Sequence, residues 1–197
     1  MATCTTLERF RFGTGEGGYS LLEAVVATGI MAGALAALGQ MFAISVVNNT
    51  SARTGSYAAV LAEQKMEQLR GLAWGFDTLG LPTTDSTTDT AAAVETSTGG
   101  TGLSPSPGGT LTGSVAGYVD YVDQFGNILG GGETIPARAV YIRRWSVEPL
   151  PSHPSHTIVL QVLVTRRSNR GLADAIGAAL RLPDEARLFS VKTRKAP

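Results

Sequence analysis

The chain has little cysteine and no excess charge of either sign. Its 197 residues contain one cysteine, Cys4, which excludes an intrachain disulfide and any zinc or iron–sulfur site built on several thiolates. Lysine plus arginine and aspartate plus glutamate number 16 each, so the net charge is zero and nucleic acid is not expected as a partner. Charged residues make up 16% of the chain and apolar residues 43%, which suggests that part of it meets lipid or another subunit.

Ionisable side chains and proline are both missing from a long segment near the N-terminus. The 24 residues from Ala24 to Val47 contain neither. About 20 apolar residues suffice for a helix to span a bilayer. The sequence therefore predicts that residues 19–47 form a transmembrane helix.

The helical pattern continues beyond this apolar run, over residues 48–70. Apolar side chains recur there at helical spacing: Ala58, Leu61, Ala62, Met66 and Leu69. This stripe predicts an amphipathic continuation that packs on a core, with Gly71 as its C-terminal stop. One helix from about Tyr19 to Arg70 is the simplest interpretation. A break within residues 48–55, where Asn, Thr, Ser and Gly lower helix propensity, is the alternative.

The remaining chain divides by composition. Residues 71–114 are rich in threonine, serine and glycine and predict a long surface loop. Residues 115–197 contain four β-type runs bounded by turn-forming residues: "GYVDYVD", "RAVYIRRWSVEP", "HTIVLQVLVTRR" and "ARLFSVKTRK". Short connections favour antiparallel pairing, so the predicted fold class is α+β, a long N-terminal helix packed on a C-terminal antiparallel β-sheet. Residues 171–185 stay open as a short helix or a long loop.

Glycines precede the apolar run in the pattern G-x-G-x-x-G, from Gly13 to Gly18. A dinucleotide-binding turn would need a buried strand before it and an acidic residue about 20 positions later, and neither is present. Gly18 has no side chain, so an extended backbone at the Gly18–Tyr19 bond could enter a narrow protease cleft. A cleavage site is therefore the preferred interpretation.

The stretch "GYSLLEAVVA" resembles the type IV prepilin motif, which has a glycine, the cut, an aromatic residue, Thr or Ser, two aliphatic residues and a glutamate. The matching residues are Gly18, Tyr19, Ser20, Leu21, Leu22 and Glu23. The continuation "LAEQKMEQLR" resembles PilV-like minor pilins and their type II secretion counterparts. Tyr19 stands where phenylalanine is commoner, and Gly39 and Gln40 lie where major pilins usually have a proline, which fits a minor pilin better.

The resemblance implies a pilin-like fold and a processing pathway. A prepilin peptidase in the bacterial inner membrane would cut after Gly18, remove the leader at residues 1–18 and methylate the new amine of Tyr19. The implied partners are this peptidase/methyltransferase, the inner membrane and other pilin or pseudopilin subunits. The chain would cross the membrane once, with its C-terminal domain in the periplasm, before joining a pilus or pseudopilus.

Glu23 is the predicted assembly residue. An acidic side chain at the centre of a bilayer costs about 2.5–3.5 kcal/mol, less near an end, so such a residue indicates a function. After the cut, Glu23 could pair with the Tyr19 amine of its own chain or of an adjacent subunit. A glutamate that only reaches the headgroups is the alternative. Gly29 and Gly33 form a G-x-x-x-G step that predicts close helix packing in lipid, although it also fits ordinary membrane-helix composition.

The other polar clusters in the sequence predict neither a metal site nor a catalytic site. His153 and His156 lie in a proline-containing loop without an obvious third ligand, so no metal site is predicted. Asp120 and Asp123 are interpreted as polar residues of a hairpin. A solvated face is expected for the arginines of the strand region: Arg143, Arg144, Arg166, Arg167 and Arg170. No catalytic set, and no cofactor, is predicted, so the chain is not expected to be an enzyme.

The predicted function is structural: a minor pilin that is incorporated through its N-terminal helix into a type IV pilus and that, as the resemblance implies, primes assembly or sits at the tip. A minor pseudopilin of a type II secretion system is the closest alternative. A secreted binding domain is an alternative of another class, and its signal peptide would be cut behind the apolar run, after Ala34 or Ala37. An uncleaved membrane-anchored enzyme would need a catalytic set that the sequence does not contain.

Overall fold

A computed structural model describes residues 18–91, 100–169 and 184–194. The predicted leader up to residue 17, with Cys4, lies outside these residues, and so does nearly all of the segment 171–185. By its contacts the chain separates into two compact units, residues 1–47 and 48–197.

One uninterrupted helix, α1 (Leu21–Gly71), contains 51 residues. It begins at Leu21 rather than Tyr19, and it continues through residues 48–55 without the break that was the alternative. Hydroxyl groups in that region donate to helix carbonyls one turn earlier: Thr54 to Thr50 and Ser56 to Ala52. Such bonds satisfy the side chains without taking the backbone out of the helix.

The apolar part of α1 is exposed along its whole length, from residue 21 to residue 47. By length and composition this helix could cross a membrane. Signal sequences and core helices of soluble proteins can pass the same test. Since no residue of 21–47 is buried, this part of the helix is not a core helix within the described chain.

The second unit contains an antiparallel sheet of five strands. They are β3 (Val119–Val122), β4 (Ile128–Gly130), β5 (Tyr141–Pro149), β6 (Thr157–Arg166) and β7 (Ala186–Thr193). Their spatial order is β4-β3-β5-β6-β7, and every neighbouring pair is antiparallel. The predicted α+β layout of a long N-terminal helix and a C-terminal antiparallel sheet is confirmed at this level.

Part of the segment predicted as a loop, residues 71–114, is ordered. Strands β1 (Trp74–Phe76) and β2 (Pro82–Thr84) form a separate antiparallel pair. Leu103 is 1% exposed and joins the main core. Hydrophobic periodicity could not predict these elements, because a strand of three residues is too short to show an alternating pattern. The residues that each strand pairs with also lie elsewhere in the sequence.

The core forms between the C-terminal part of α1 and one face of the sheet. The whole predicted stripe is buried: Ala58, Leu61, Ala62, Met66 and Leu69. It packs with Trp145, Val147 and Leu160 from the two central strands. On the opposite face, Val119, Tyr121 and Ile142 form a smaller cluster with Ala139 from the connection before β5. Strand β5 is consequently buried on both faces.

Candidate functional site

The predicted cleavage point lies just outside the helix. Gly18, Tyr19 and Ser20 are non-helical and exposed, and the Tyr19 side chain is 87% accessible. A Cβ atom built on Gly18 meets no atom within 4 Å. An exposed, non-helical peptide bond is the kind of site at which proteases act. The bond between Gly18 and Tyr19 is therefore sterically open to an enzyme.

Glu23 occupies the first turn of α1. The Ser20 carbonyl accepts the backbone N–H of Ala24 at 3.1 Å, which makes Ser20 the N-cap and Glu23 the third helical residue. Ser-x-x-Glu is the spacing of a capping box, and an anion in the first turn is favoured by the helix dipole. In the sequence, the Ser20–Glu23 spacing is the signal for this local role of Glu23.

Open space surrounds the small residues of the apolar helix. A Cβ atom built on Gly29, Gly33 or Gly39 meets nothing within 4 Å, apart from the neighbouring helix backbone. Thr28 donates its hydroxyl to the carbonyls of Ala24 and Val25, so this polar group is satisfied inside the helix. This surface can therefore meet lipid or another helix at close range, and no packing inside the described chain explains its glycines.

A second polar site lies inside the core, between α1, β3 and β5. One carboxylate oxygen of Asp120 accepts from both Lys65, at 2.8 Å, and Arg143, at 2.7 Å. All three side chains are at most 2% exposed. Lys65 also donates to Gln68 and to the Thr90 carbonyl. This arrangement, the buried ionic cluster, comprises Lys65, Asp120 and Arg143.

The buried ionic cluster contains two cations and one anion. Arg143 spreads its charge further by donating to the Leu61 carbonyl and to the Gln64 side chain. The Lys65 ammonium lies 4.3 Å from the centre of the Trp145 ring, within the range of a cation–π contact. Burial lowers the pKa of Lys65 to about 8, because desolvation outweighs the opposing effect of Asp120. The cluster has no access to solvent, so its geometry supports a structural rather than a catalytic role.

The solvated face expected for the strand arginines is not found at Arg143 and Arg144, which are 2% and 3% exposed. Alternation places them on opposite faces of β5, as expected, but both faces are covered. Arg143 meets α1, and Arg144 contacts the irregular segment at Leu111 and Ser114. Asp120, interpreted from the sequence as a polar residue of a hairpin, is also buried. Lys65, whose charge predicts a place on a polar face of α1, is also buried, because Asp120 and Gln68 pair with its ammonium group.

Asp123 behaves as the hairpin interpretation predicts. It accepts the backbone N–H groups of Phe125 and Asn127 and the Asn127 side-chain amide. The bond from that amide is the largest cause that lowers the pKa of Asp123. Gly126 adopts φ +89°, and a Cβ there would lie 2.7 Å from the Tyr57 hydroxyl oxygen. The turn is therefore specified by the carboxylate of Asp123 and by the glycine at position 126.

An open groove of about 670 Å³ lies beside this turn. Aromatic side chains of Tyr57, Phe125 and Tyr141 line it, and the charged side chain of Arg53 lies among its described lining residues. Phe125 is 71% exposed. Among the described residues, those that line the groove include neither a carboxylate nor a histidine.

Comparison with protein-family models, with curated proteins and with solved structures finds no match for this chain.

Proposed function

We propose that this protein is a structural minor pilin: a subunit that is cut between Gly18 and Tyr19, methylated on the new amine and incorporated into a type IV pilus through α1. The proposal rests mainly on the arrangement of residues at the start of that helix. An exposed non-helical Gly18–Tyr19 bond is followed within one turn by Glu23, the single acid of residues 21–47, the exposed apolar part of α1.

The surroundings of Glu23 support a role between subunits. Among the residues that the structure describes, no cation lies in an ion pair with it. Cleavage after Gly18 would create an ammonium group on Tyr19, about one helical turn away. In an apolar bundle, pairing with this group on the same or an adjacent subunit would offset the cost of burying the carboxylate and fix the axial register of neighbouring helices.

The helix also argues against cleavage behind the apolar run. α1 continues through Ala34 and Ala37 with regular helical structure. A cut there would fall inside the helix, whereas the Gly18–Tyr19 bond lies outside it. Proteolysis concentrates at exposed irregular segments, so the position in front of the helix is the more accessible of the two.

Mass spectrometry of the mature N-terminus tests this proposal. The chain is expressed in cells with and without a prepilin peptidase. We expect a terminus at Tyr19 carrying one added methyl group when the peptidase is present, and an intact leader when it is absent. A Gly18→Ile variant should stay uncut, and a Gly29→Ala variant should be processed normally. A mature terminus near Leu38, independent of the peptidase, would instead identify a secreted domain.

A further inference from the structure

Arginines concentrate at one end of the sheet in the second unit. The end of β3 pairs with the start of β5, and the start of β5 pairs with the end of β6, so Val122, Tyr141 and Arg166 lie in one row. Arg167 comes directly after this row and donates to two carbonyls of the connection before β5. The same connection carries Arg138, whose side chain is 78% exposed.

Helix α1 brings a further arginine to this end. The Tyr57 ring lies 5.4 Å from the Tyr141 ring, and Arg53 precedes Tyr57 by about one helical turn. Arg53 lines the open groove together with Phe125. Burial raises the pKa of Tyr141, whereas Arg166 and Arg53 lower it, so both guanidinium groups lie near the Tyr141 ring. We call this surface the arginine end; it comprises Arg53, Phe125, Arg138, Arg166 and Arg167.

Among the described residues, the fully exposed charges of the arginine end are positive. The acids near it are covered to a greater degree: Asp123 is buried in its turn, and Asp184 and Glu185 are half-buried. The exposed Glu133 lies two residues after Gly131, which packs against the carbonyl of the first residue of β3, at the opposite end of that strand. Three of the arginines are exposed: Arg53, Arg138 and Arg167.

An aromatic ring is exposed beside these arginines. Phe125 is 71% exposed, although the turn that carries it is fixed by Asp123. The half-buried ring of Tyr57 lines the same groove. Aromatic rings combined with arginines are typical of surfaces that lie at a membrane–water interface, where the rings enter the headgroup layer and the cations meet phosphates.

A short stretch of chain joins the arginine end to the apolar run. Arg53 follows Val47 by six residues, so their Cα atoms lie at most about 22 Å apart in any conformation. The other end of the core is further along the helix, because Arg70 lies 13 residues beyond Tyr57, about 20 Å. If residues 21–47 cross a membrane, the arginine end is therefore within reach of its surface.

We propose that the arginine end docks on the surface of the membrane that residues 21–47 cross, with its exposed arginines on anionic phospholipid headgroups and the Phe125 ring between them. Charge complementarity favours this occupant, because guanidinium groups bind phosphate oxygens in bidentate geometry and the attraction acts within about 8 Å at physiological salt. The inference rests on the membrane-spanning role that the proposed function gives to residues 21–47. It requires neither cleavage at Gly18 nor filament assembly.

A fluorescent label next to Phe125 tests the docking. The full-length unprocessed chain carries Cys4→Ser and Gln124→Cys, is labelled with the fluorophore NBD and is reconstituted at one chain per lipid nanodisc. The discs contain phosphatidylcholine alone or equal parts of phosphatidylcholine and phosphatidylglycerol, with the same trace of lipid that carries a nitroxide on its headgroup. We expect at least threefold more quenching in the discs that contain the anionic lipid.

A matched position at the other end of the second unit is the control. Thr78 is exposed and precedes the exposed apolar residue Leu79, as Gln124 precedes Phe125. A label on Thr78→Cys should show at least threefold less quenching than the label at position 124 in the anionic discs. It should also show the same quenching in both lipid compositions.

Substitutions separate the contributions of charge and of the ring. Arg53→Gln in the labelled Gln124→Cys chain should lower the ratio of docked to undocked chains about fivefold, the effect of one cation at an anionic surface. Arg70→Gln removes an exposed arginine near the other end of α1 and should leave the ratio unchanged. Phe125→Ser should lower the ratio, and Leu79→Ser should not. Unchanged tryptophan fluorescence is the control for folding.

Five results would overturn the proposal. They are a chain that does not enter the discs, equal quenching at positions 124 and 78, equal quenching of position 124 in the two lipid compositions, an unchanged ratio in Arg53→Gln, and quenching that weakens when a disc holds two chains, which would assign the surface to a second copy. The first result would also overturn the membrane-spanning role of residues 21–47. The other four would leave the proposed cleavage and filament assembly untouched, because the chain is unprocessed throughout.

Discussion

The two parts of α1 share one continuous backbone but differ in what surrounds them. Residues 21–47 are exposed at every position, and Glu23 is their one ionisable side chain. Residues 48–71 bury six side chains, and one of these is the cation Lys65. The first part places its one charge where the helix begins and leaves its apolar surface uncovered, whereas the second part buries its apolar stripe together with the charge of Lys65.

The two parts of α1 therefore differ in where the contacts that cover them come from. The second part is completed by the sheet, which supplies apolar contacts and the carboxylate of Asp120. Nothing in the described chain covers the first part, and under the proposed function lipid and other subunits would cover it. Substitutions in the second part should therefore change folding, and substitutions in the first part should change assembly.

The largest expected effect comes from removing the one anion of the buried ionic cluster. Asp120→Asn removes the carboxylate that pairs with both buried cations, Lys65 and Arg143. We expect a loss of about 3–5 kcal/mol in the free energy of unfolding, as for other buried ion pairs that lose one partner. Urea unfolding of the full chain in micelles, followed by tryptophan fluorescence, measures it. Glu63→Gln, on the exposed side of the same helix, should stay within about 0.5 kcal/mol of the unchanged protein.

A matched pair of leucines tests the comparison directly. Leu61 is 4% exposed in the second part of α1, and Leu35 is 63% exposed in the first. Leu61→Ala should reduce the free energy of unfolding by about 2–4 kcal/mol, because it leaves a cavity under the sheet. Leu35→Ala should leave the same unfolding transition unchanged. Equal losses for the two variants would remove the distinction drawn between the two parts.

The pH dependence of stability sharpens the role of Lys65. Its pKa is lowered in the folded state from 10.5 to about 8, so the unfolded chain binds more protons between these values. Stability should therefore rise with pH above 8, by roughly 2–3 kcal/mol by pH 10. The lowered pKa of Lys192 also makes stability rise with pH. The raised pKa values of Tyr118 and Tyr141 make stability fall with pH, but only above the ordinary tyrosine pKa of 10.0.

The smallest effect is expected for Lys65→Met. It removes one of two cations and leaves the Asp120–Arg143 pair intact, with an apolar chain against Trp145. The free energy of unfolding at pH 7 should change by less than about 1 kcal/mol or increase. Urea unfolding at pH 7 measures this free energy. The same measurement repeated up to pH 10 should show that the variant has lost most of the increase in stability expected for the unchanged protein above pH 8. A loss as large as that of Asp120→Asn would show that Lys65 is required for charge balance.

Much of the fold could be predicted from the periodicity of the sequence, but the buried ionic cluster could not. The stripe from Ala58 to Leu69 and the long strands β5 and β6 each contain enough residues to show a period. Lys65 and Asp120 come from separate elements, and their contact depends on how α1 meets β3. Residues 1–17 and the predicted loop or helix near 171–183 lie outside the described chain. The roles assigned to Gly18, Tyr19, Glu23, Gly29 and Gly33 stay predictions.

The central claim is that Glu23 acts between subunits, and filament incorporation tests it most directly. Glu23→Gln and Glu63→Gln are compared for cleavage and for their amounts in sheared filaments relative to the membrane pool. We predict that Glu23→Gln is cut normally but is at least tenfold depleted from filaments, whereas Glu63→Gln matches the unchanged protein. Normal incorporation of Glu23→Gln would contradict the account.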